Sequence, residues 1–402
     1  MFPPLLAGEG WPKAGVRSLH MNASPIYDRI NKSLVGKKDA HLFRTTAQPN
    51  EQCLIDLSTN SYLALHTNED VAKSARELTG NQWSGNCASR IIAAQSPLFT
   101  ELETEIAAWK KTQAALVFNS GYAANVGIIQ ALASRHTDVF CDKLNHASII
   151  DGILLSSARM IRYRHIDMKD LAAKLAASTQ KEKLIVTDSV FSMDGDCAPL
   201  ADICDLARAY HCMVMVDEAH AMGILGKSGS GLVEELNLEQ YVDVRMGTLS
   251  KSVAGAGGYV AGSSLLRDCF INYSRSFIYS TALPHTVLAW NLAAVRYIRR
   301  YTGLGKRLLE SAKLFRDALH DQGFNTLQSS TQIVPFVLGN EAMALSLSAF
   351  LRKNGIKVPA IRPPTVPVGT ARLRFSIHSG LSDGQLRDIA SKLIDWKNGH
   401  GA

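Results

Sequence analysis

Four short apolar runs, each closing on polar residues and then a turn or helix, limit what this chain can fold into more than any other feature. AALVF (114–118) leads into Asn119-Ser120-Gly121 and a helix from Tyr122. KLIVTDSVF (183–191) leads into MDGDCAPLADICDLARAY. There Pro199 suits a first helical position, and Leu200, Ile203, Ala207 and Tyr210 keep helical spacing. CMVMVDEAH (212–220) and VRMGTLSK (244–251) are the third and fourth runs. Apolar strands that do not alternate are buried on both faces, and strands interleaved with helices pair in parallel. The predicted fold class is therefore α/β, with a mostly parallel central sheet covered on both sides. Beyond residue 300 the pattern changes to a helix over 307–319 and strands over 332–339 and 371–378. That predicts a smaller α+β C-terminal domain. The expected layout is a flexible N-terminal extension (1–20), an arm (21–62), a large domain (63–300) and a small one (301–402). Two further helices are predicted, over 24–38 from Ile26, Ile30 and Leu34, and over 98–109 from Leu98, Leu102, Ile106 and Trp109.

Composition removes several classes of function. In 402 residues, 46% hydrophobic and 20% charged content excludes a disordered, collagen-like or coiled-coil chain. The net charge of +7 fits an anionic substrate or cofactor as well as nucleic acid, and a mildly basic surface with no specific partner best of all; without a basic run it does not predict a nucleic-acid partner. Seven cysteines without a C-x-x-C argue against a disulfide framework or zinc ribbon. No metal is expected, and a reducing, cytoplasmic setting is. No apolar stretch approaches the ~18 residues of a membrane span, so no membrane partner is expected. MFPPLLAGEGWPKAG has no basic start and reads poorly as a signal peptide.

The polar residues at the strand ends carry the chemistry, because open α/β sheets bind ligands beyond the carboxyl ends of their strands. Asp217 closes the VMV run, His220 follows it, Lys251 closes the next run, and Gly121 turns after an earlier one. Each is weak alone: a single lysine is more often a surface lysine, and a single histidine more often a satisfied structural one. Converging on one crevice, they match the needs of pyridoxal phosphate. An amine forms a Schiff base, a carboxylate pairs with the pyridinium nitrogen, and helix N-terminal N–H groups hold the phosphate. In ARLRFSIH (371–378), Leu373, Phe375 and Ile377 alternate with Arg372, Arg374 and Ser376. Arg374 is expected opposite the packed side, where its fork suits a carboxylate. The competing reading is a solvated edge strand with two surface arginines.

From about residue 54 to 380 the chain resembles the α-oxoamine synthases, a family of fold-type I pyridoxal-phosphate transferases. The resemblance rests on SGYAAN (120–125), LNHASIIDG (144–152), FSMDGDCAPL (191–200), VDEAH (216–220), TLSK (248–251), GGYVAG (257–262) and YSTALP (279–284). It implies that Lys251 carries pyridoxal phosphate and then acts as base and acid. Asp217 would bind the pyridinium nitrogen, His220 and Ser192 the phenolic oxygen, and His146 would stack on the ring. Gly121, Tyr122 and Thr248 would surround the phosphate, and Thr281 or Ser280 would reach the phosphate of a neighbouring subunit in a homodimer. Arg374 would clamp the amino-acid carboxylate, Thr365 would lie near the acyl group, and Arg44 is the candidate acyl-binding arginine. RPPTVPVGTARLR (362–374) narrows the resemblance to a condensation of L-alanine with a pimeloyl thioester of CoA or acyl-carrier protein, a biotin-pathway step. The alternatives are glycine or serine with another acyl group, and a cofactor-binding subunit without catalysis. The chain departs from the family pattern at GNCASR (85–90), at TNSYLAL (59–65) and at His285, where a second proline is usual.

Overall fold

The computed structural model describes residues 24–44, 46, 55–82, 85–93 and 96–400. The expected extension, 1–20, lies outside them. The chain divides into two compact units, Met1–Glu51 and Gln52–Ala402. In the first, the predicted helix spans Pro25–Asp39, and its stripe of Ile26, Ile30 and Leu34 is exposed.

The second unit is built on a seven-stranded sheet. Its strands are β1 (Ala114–Phe118), β2 (Thr137–Asp142), β3 (Arg159–Tyr163), β4 (Glu182–Asp188), β5 (Met213–Asp217), β6 (Val244–Thr248) and β7 (Gly258–Gly262). Their spatial order is β1-β7-β6-β5-β4-β2-β3. All neighbours pair in parallel except β7, which runs antiparallel to both β1 and β6. Successive residues along a strand enter opposite cores. Phe140, Ile185, Val214 and Val216 join one apolar cluster, while Val139, Leu184, Val186 and Met215 join the other. Both faces are thus dry, which is why the runs do not alternate. Each such side chain contributes about 1.5–3 kcal/mol by leaving water. The helix Pro97–Lys110 buries Leu98, Leu102, Ile106 and Trp109 as its stripe predicts.

Two local expectations need correction. The run 183–191 is a strand only to Asp188, because Ser189 turns its N–H to the Asp217 carbonyl (2.8 Å) and Val190 forms an isolated bridge with Cys197. Pro199 does not open the first turn of helix Leu200–Ala209; it stands just outside as the cap residue.

A second sheet holds β8 (Ile333–Gly339), β9 (Ala360–Ile361) and β10 (Ala371–Ser376) in the antiparallel order β9-β10-β8. Being central, β10 is buried at all six positions, so its arginines are not on a solvated edge. The alternation is present, but the arginine side is covered too, with Arg372 at 3% and Arg374 at 4% exposure. Among the described residues no helix is long and apolar enough to cross a membrane.

Candidate active site

The carboxyl ends of β4, β5 and β6 and the turn after β1 enclose a cavity of about 230 Å³. The parallel register sets Asp188 beside Asp217 at its floor. Asp217 accepts from the Ala219 N–H (2.8 Å) and from Asn125 Nδ2 (2.8 Å), and Asn125 also donates to Ser148 Oγ (2.9 Å). One residue further on, Glu218 turns the other way. It meets the fully buried Lys110 ammonium at 2.8 Å and accepts the Val233 N–H at 3.0 Å. That ion pair anchors the end of β5 from behind.

Lys251 lies three residues past β6 and lines the cavity opposite these acids. Burial pushes its ammonium down to about 8; Asp217 and Asp188 resist the fall and Arg374 adds to it. His220 is held well below the usual imidazole range, by burial first and then by Lys251, Arg374 and His146. It is therefore neutral, and its Nδ1 meets Tyr62 Oη at 2.7 Å. His146 caps the helix Ala147–Ser156, with Nδ1 2.7 Å from Ser148 Oγ and its N–H donated to Asp188 Oδ2 at 2.7 Å. Burial and the adjacent Asp217 push the Asp188 carboxyl well above the usual range.

At the far end of the cavity the helix Gly121–Leu132 begins, capped by Ser120, whose Oγ accepts from the Ala123 N–H (3.0 Å). The first-turn N–H groups of Gly121 and Tyr122 have no intrahelical partner. Thr248 Oγ1 and Ser250 Oγ sit 2.8 Å apart beside them. A Cβ on Gly121 would stand 3.2 Å from Thr248 Cβ, so the cradle is already close-fitting. An amine with a lowered pKa, a carboxylate opposite it and a helix N-terminus at one end fit pyridoxal phosphate as the expected group.

A second cavity, of about 560 Å³, shares His146 with the first and is lined by Phe191, Ser192, Met193, Thr365 and Val366. Ser192 and Thr365 thus belong to this neighbouring space and not to the wall around Lys251. Arg374 donates from Nε to the Ser192 carbonyl (2.5 Å), from Nη1 to Asn60 Oδ1 (3.1 Å) and Ser376 Oγ (2.6 Å), and from Nη2 to Tyr62 Oη (3.2 Å). All these partners are neutral. Thr281 is exposed outside both cavities, and its carbonyl accepts from Asn119 Nδ2. Arg44 belongs to the unit Met1–Glu51 and remains a candidate from sequence only. His285, at the proline position, is buried and bonds Ser96 Oγ through Nδ1 (2.8 Å), fixing the start of helix His285–Arg300. Sequence reasoning missed Tyr62, Asn125 and Asp188. Asp188 alone carried a signal, as an acid closing an apolar run like Asp217.

Comparisons with known proteins agree with this geometry. The family model for aminotransferase class I and II matches residues 53–393. An 8-amino-7-oxononanoate synthase of Geobacter sulfurreducens is 47% identical over 83% of this chain and 86% of its own. One from Anaeromyxobacter dehalogenans is 42% identical over 87% and 88%. Serine palmitoyltransferase from S. paucimobilis, solved with a bound PLP–myriocin aldimine, superposes with a TM-score of 0.87 at 29% identity, over 94% of this chain and 98% of that one. An 8-amino-7-oxononanoate synthase from Francisella tularensis superposes at 0.72 with 28% identity, over 86% and 98%. The chain belongs to the aminotransferase class I and II family, in its α-oxoamine synthase branch.

Proposed function

We propose that this chain is a pyridoxal-phosphate-dependent acyltransferase that condenses L-alanine with a pimeloyl thioester, releasing CO2 and the thiol carrier and giving 8-amino-7-oxononanoate. The observation that carries the chemistry is the meeting of Lys251, Asp217 and His220 in one cavity: Asp217 ends β5, His220 lies in the turn directly after it, and Lys251 comes 34 residues after Asp217 in the loop past β6. Bound pyridoxal phosphate supplies an electron sink for the carbanion at the amino-acid Cα. The chain's own groups do the rest. Asp217, fixed by Asn125 and the Ala219 N–H, offers a carboxylate to the ring nitrogen. Lys251 Nζ, with its proton loosened, takes the α-proton and returns one later. Arg374 orients the substrate carboxylate so that the α-proton faces Lys251. The cavity beside His146 takes the acyl chain, and its Phe191, Met193 and Val366 suit methylenes.

Serine with a long-chain acyl thioester is the second reading, favoured by the serine palmitoyltransferase superposition. The higher identity to the 8-amino-7-oxononanoate synthases weighs toward alanine and pimeloyl. The test is turnover of L-alanine, glycine and L-serine against pimeloyl-, succinyl- and palmitoyl-CoA, with products identified by mass spectrometry. Faster turnover of serine with palmitoyl-CoA would replace the first reading by the second. Borohydride trapping should place the cofactor on Lys251, and a modified peptide at another lysine would refute that role.

A further inference from the structure

Tyr62 lies at the meeting point of two side chains that face the site from different elements. It is fully buried. Its segment is pinned by the two-residue ladder of Ile55–Asp56 with Ile356–Lys357, by the Ser376 N–H on the Leu57 carbonyl (3.0 Å) and by the Ser379 N–H on its own carbonyl (2.8 Å). The hydroxyl meets His220 Nδ1 at 2.7 Å, Asn60 Oδ1 at 3.1 Å and Arg374 Nη2 at 3.2 Å, and the Gln332 side chain also bears on it as a donor. Arg374 can only donate, so one lone pair of the phenol oxygen is committed to it. The single O–H proton must then go either to Asn60 or to His220.

The choice matters because His220 is neutral. If Tyr62 donates to Nδ1, the proton of the imidazole sits on Nε2; if Nδ1 donates to Tyr62, Nε2 is a bare acceptor. Nε2 has no hydrogen-bond partner among the described residues, and His220 lines the cavity. A guanidinium donating to a phenol oxygen strengthens the phenol as a donor, which favours the proton on Nε2. Among the described residues Arg374 has no carboxylate partner, whereas the neighbouring Arg372 is paired with Asp194 at 2.5 Å.

We infer that Tyr62 is a positioning residue that couples the Arg374 guanidinium to the cavity-facing nitrogen of His220, so that binding of the amino-acid carboxylate is felt at His220. The inference rests on the proposed carboxylate role of Arg374. Tyr62 does not line either cavity; it acts through His220 and Arg374.

The experiment is a double-mutant cycle on holoenzyme, reading L-alanine affinity by spectral titration for Arg374→Ala, His220→Ala and the pair, in wild-type and Tyr62→Phe backgrounds. In the wild-type background the two effects should be non-additive by about threefold or more. In the Tyr62→Phe background they should multiply. Coupling that persists without the hydroxyl overturns the inference, as does additivity in the wild-type background. If Arg374→Ala leaves L-alanine affinity unchanged, the carboxylate role itself fails, and that outcome is separate from failure of the relay. As a second variant, difluorotyrosine at position 62 keeps the ring and makes the phenol a stronger donor. It should shift the pH midpoint of the holoenzyme absorbance band, which a purely structural hydroxyl would leave in place.

Discussion

Arg372 and Arg374 stand two residues apart on β10, and their surroundings assign them different work. Arg372 is spent on Asp194, a carboxyl that burial raises above its usual range and that the guanidinium only partly draws back. Arg374 is buried among neutral partners, a costly arrangement for a guanidinium unless an anion arrives. Arg374→Ala should therefore weaken L-alanine binding about ten- to a hundredfold, the worth of a charge-assisted pair. Arg372→Ala should instead cost roughly 3 kcal/mol of stability, by stranding Asp194, with little change in affinity. Spectral titration and thermal melts of both variants separate the two, and weakened binding in the Arg372 variant alone would reverse the assignment. A second prediction concerns Lys251. With its ammonium lowered to about 8, the apoprotein should take up pyridoxal phosphate faster as pH rises through that value and level off above it, since only the free amine attacks. Stopped-flow absorbance across pH 6–10 checks the midpoint, and a midpoint near ~10.4, the ordinary lysine value, would refute the lowered pKa.

At the scale of elements, the loop after β4 is tied to the end of β2 through His165. Its Nδ1 meets Asp142 and its Nε2 meets Asp196, both at 2.9 Å. Burial alone would lower this imidazole, but the hydrogen bonds to the two carboxylates push it up to about 9. Although His165, Asp194 and Asp196 gather within metal-binding range, both ring nitrogens are occupied and protonated, which leaves no lone pair for a cation. The folded pKa lies above the unfolded one of about 6.5. The stabilisation is thus complete below pH 6.5 and is lost as pH rises through 9. His165→Ala should lower the melting temperature markedly at pH 6 and little at pH 10; an equal loss at both would show that the imidazole is neutral. These elements also show where sequence stops being informative. β1, β4, β5 and β6 were legible because runs buried on both faces are uniformly apolar. β3, RMIRY, was not: it is an edge strand, and its exposed Arg159 and Arg162 make it look like surface. In the site, Asp217, His220 and Lys251 could be read from strand ends, whereas Tyr62 acquires its role from a partner 158 residues away, and Asn125 from one 92 away. No local pattern encodes such distances.

On the scale of the whole molecule, the two sheets meet at Gly195. The residue holds φ +74°, and a Cβ there would lie 2.0 Å from the Ile333 carbonyl oxygen of β8. Its own carbonyl accepts from the Ser330 N–H (3.0 Å) and from Thr331 Oγ1 (2.8 Å). Gly195→Ala should force the small sheet away from the large one, lowering the melting temperature and weakening L-alanine binding together, because Arg374 rides on the displaced sheet. A variant that melts earlier yet binds L-alanine normally would show that the sheets move independently of the site. The antiparallel strand β7 has a consequence in time. Gly258 pairs at once with Phe118 of β1 and Thr248 of β6, and a Cβ there would stand 2.7 Å from the Ser120 carbonyl oxygen. The two halves of the phosphate cradle are therefore joined by a strand synthesised after both. On the ribosome, a nascent chain that has not yet released Gly262 can assemble the parallel strands β2 to β6, but it has no strand to pair with β1. Cofactor capture is thus a late event of synthesis, and a growing chain that stalls before β7 leaves β1 as an unpaired apolar strand within reach of chaperones.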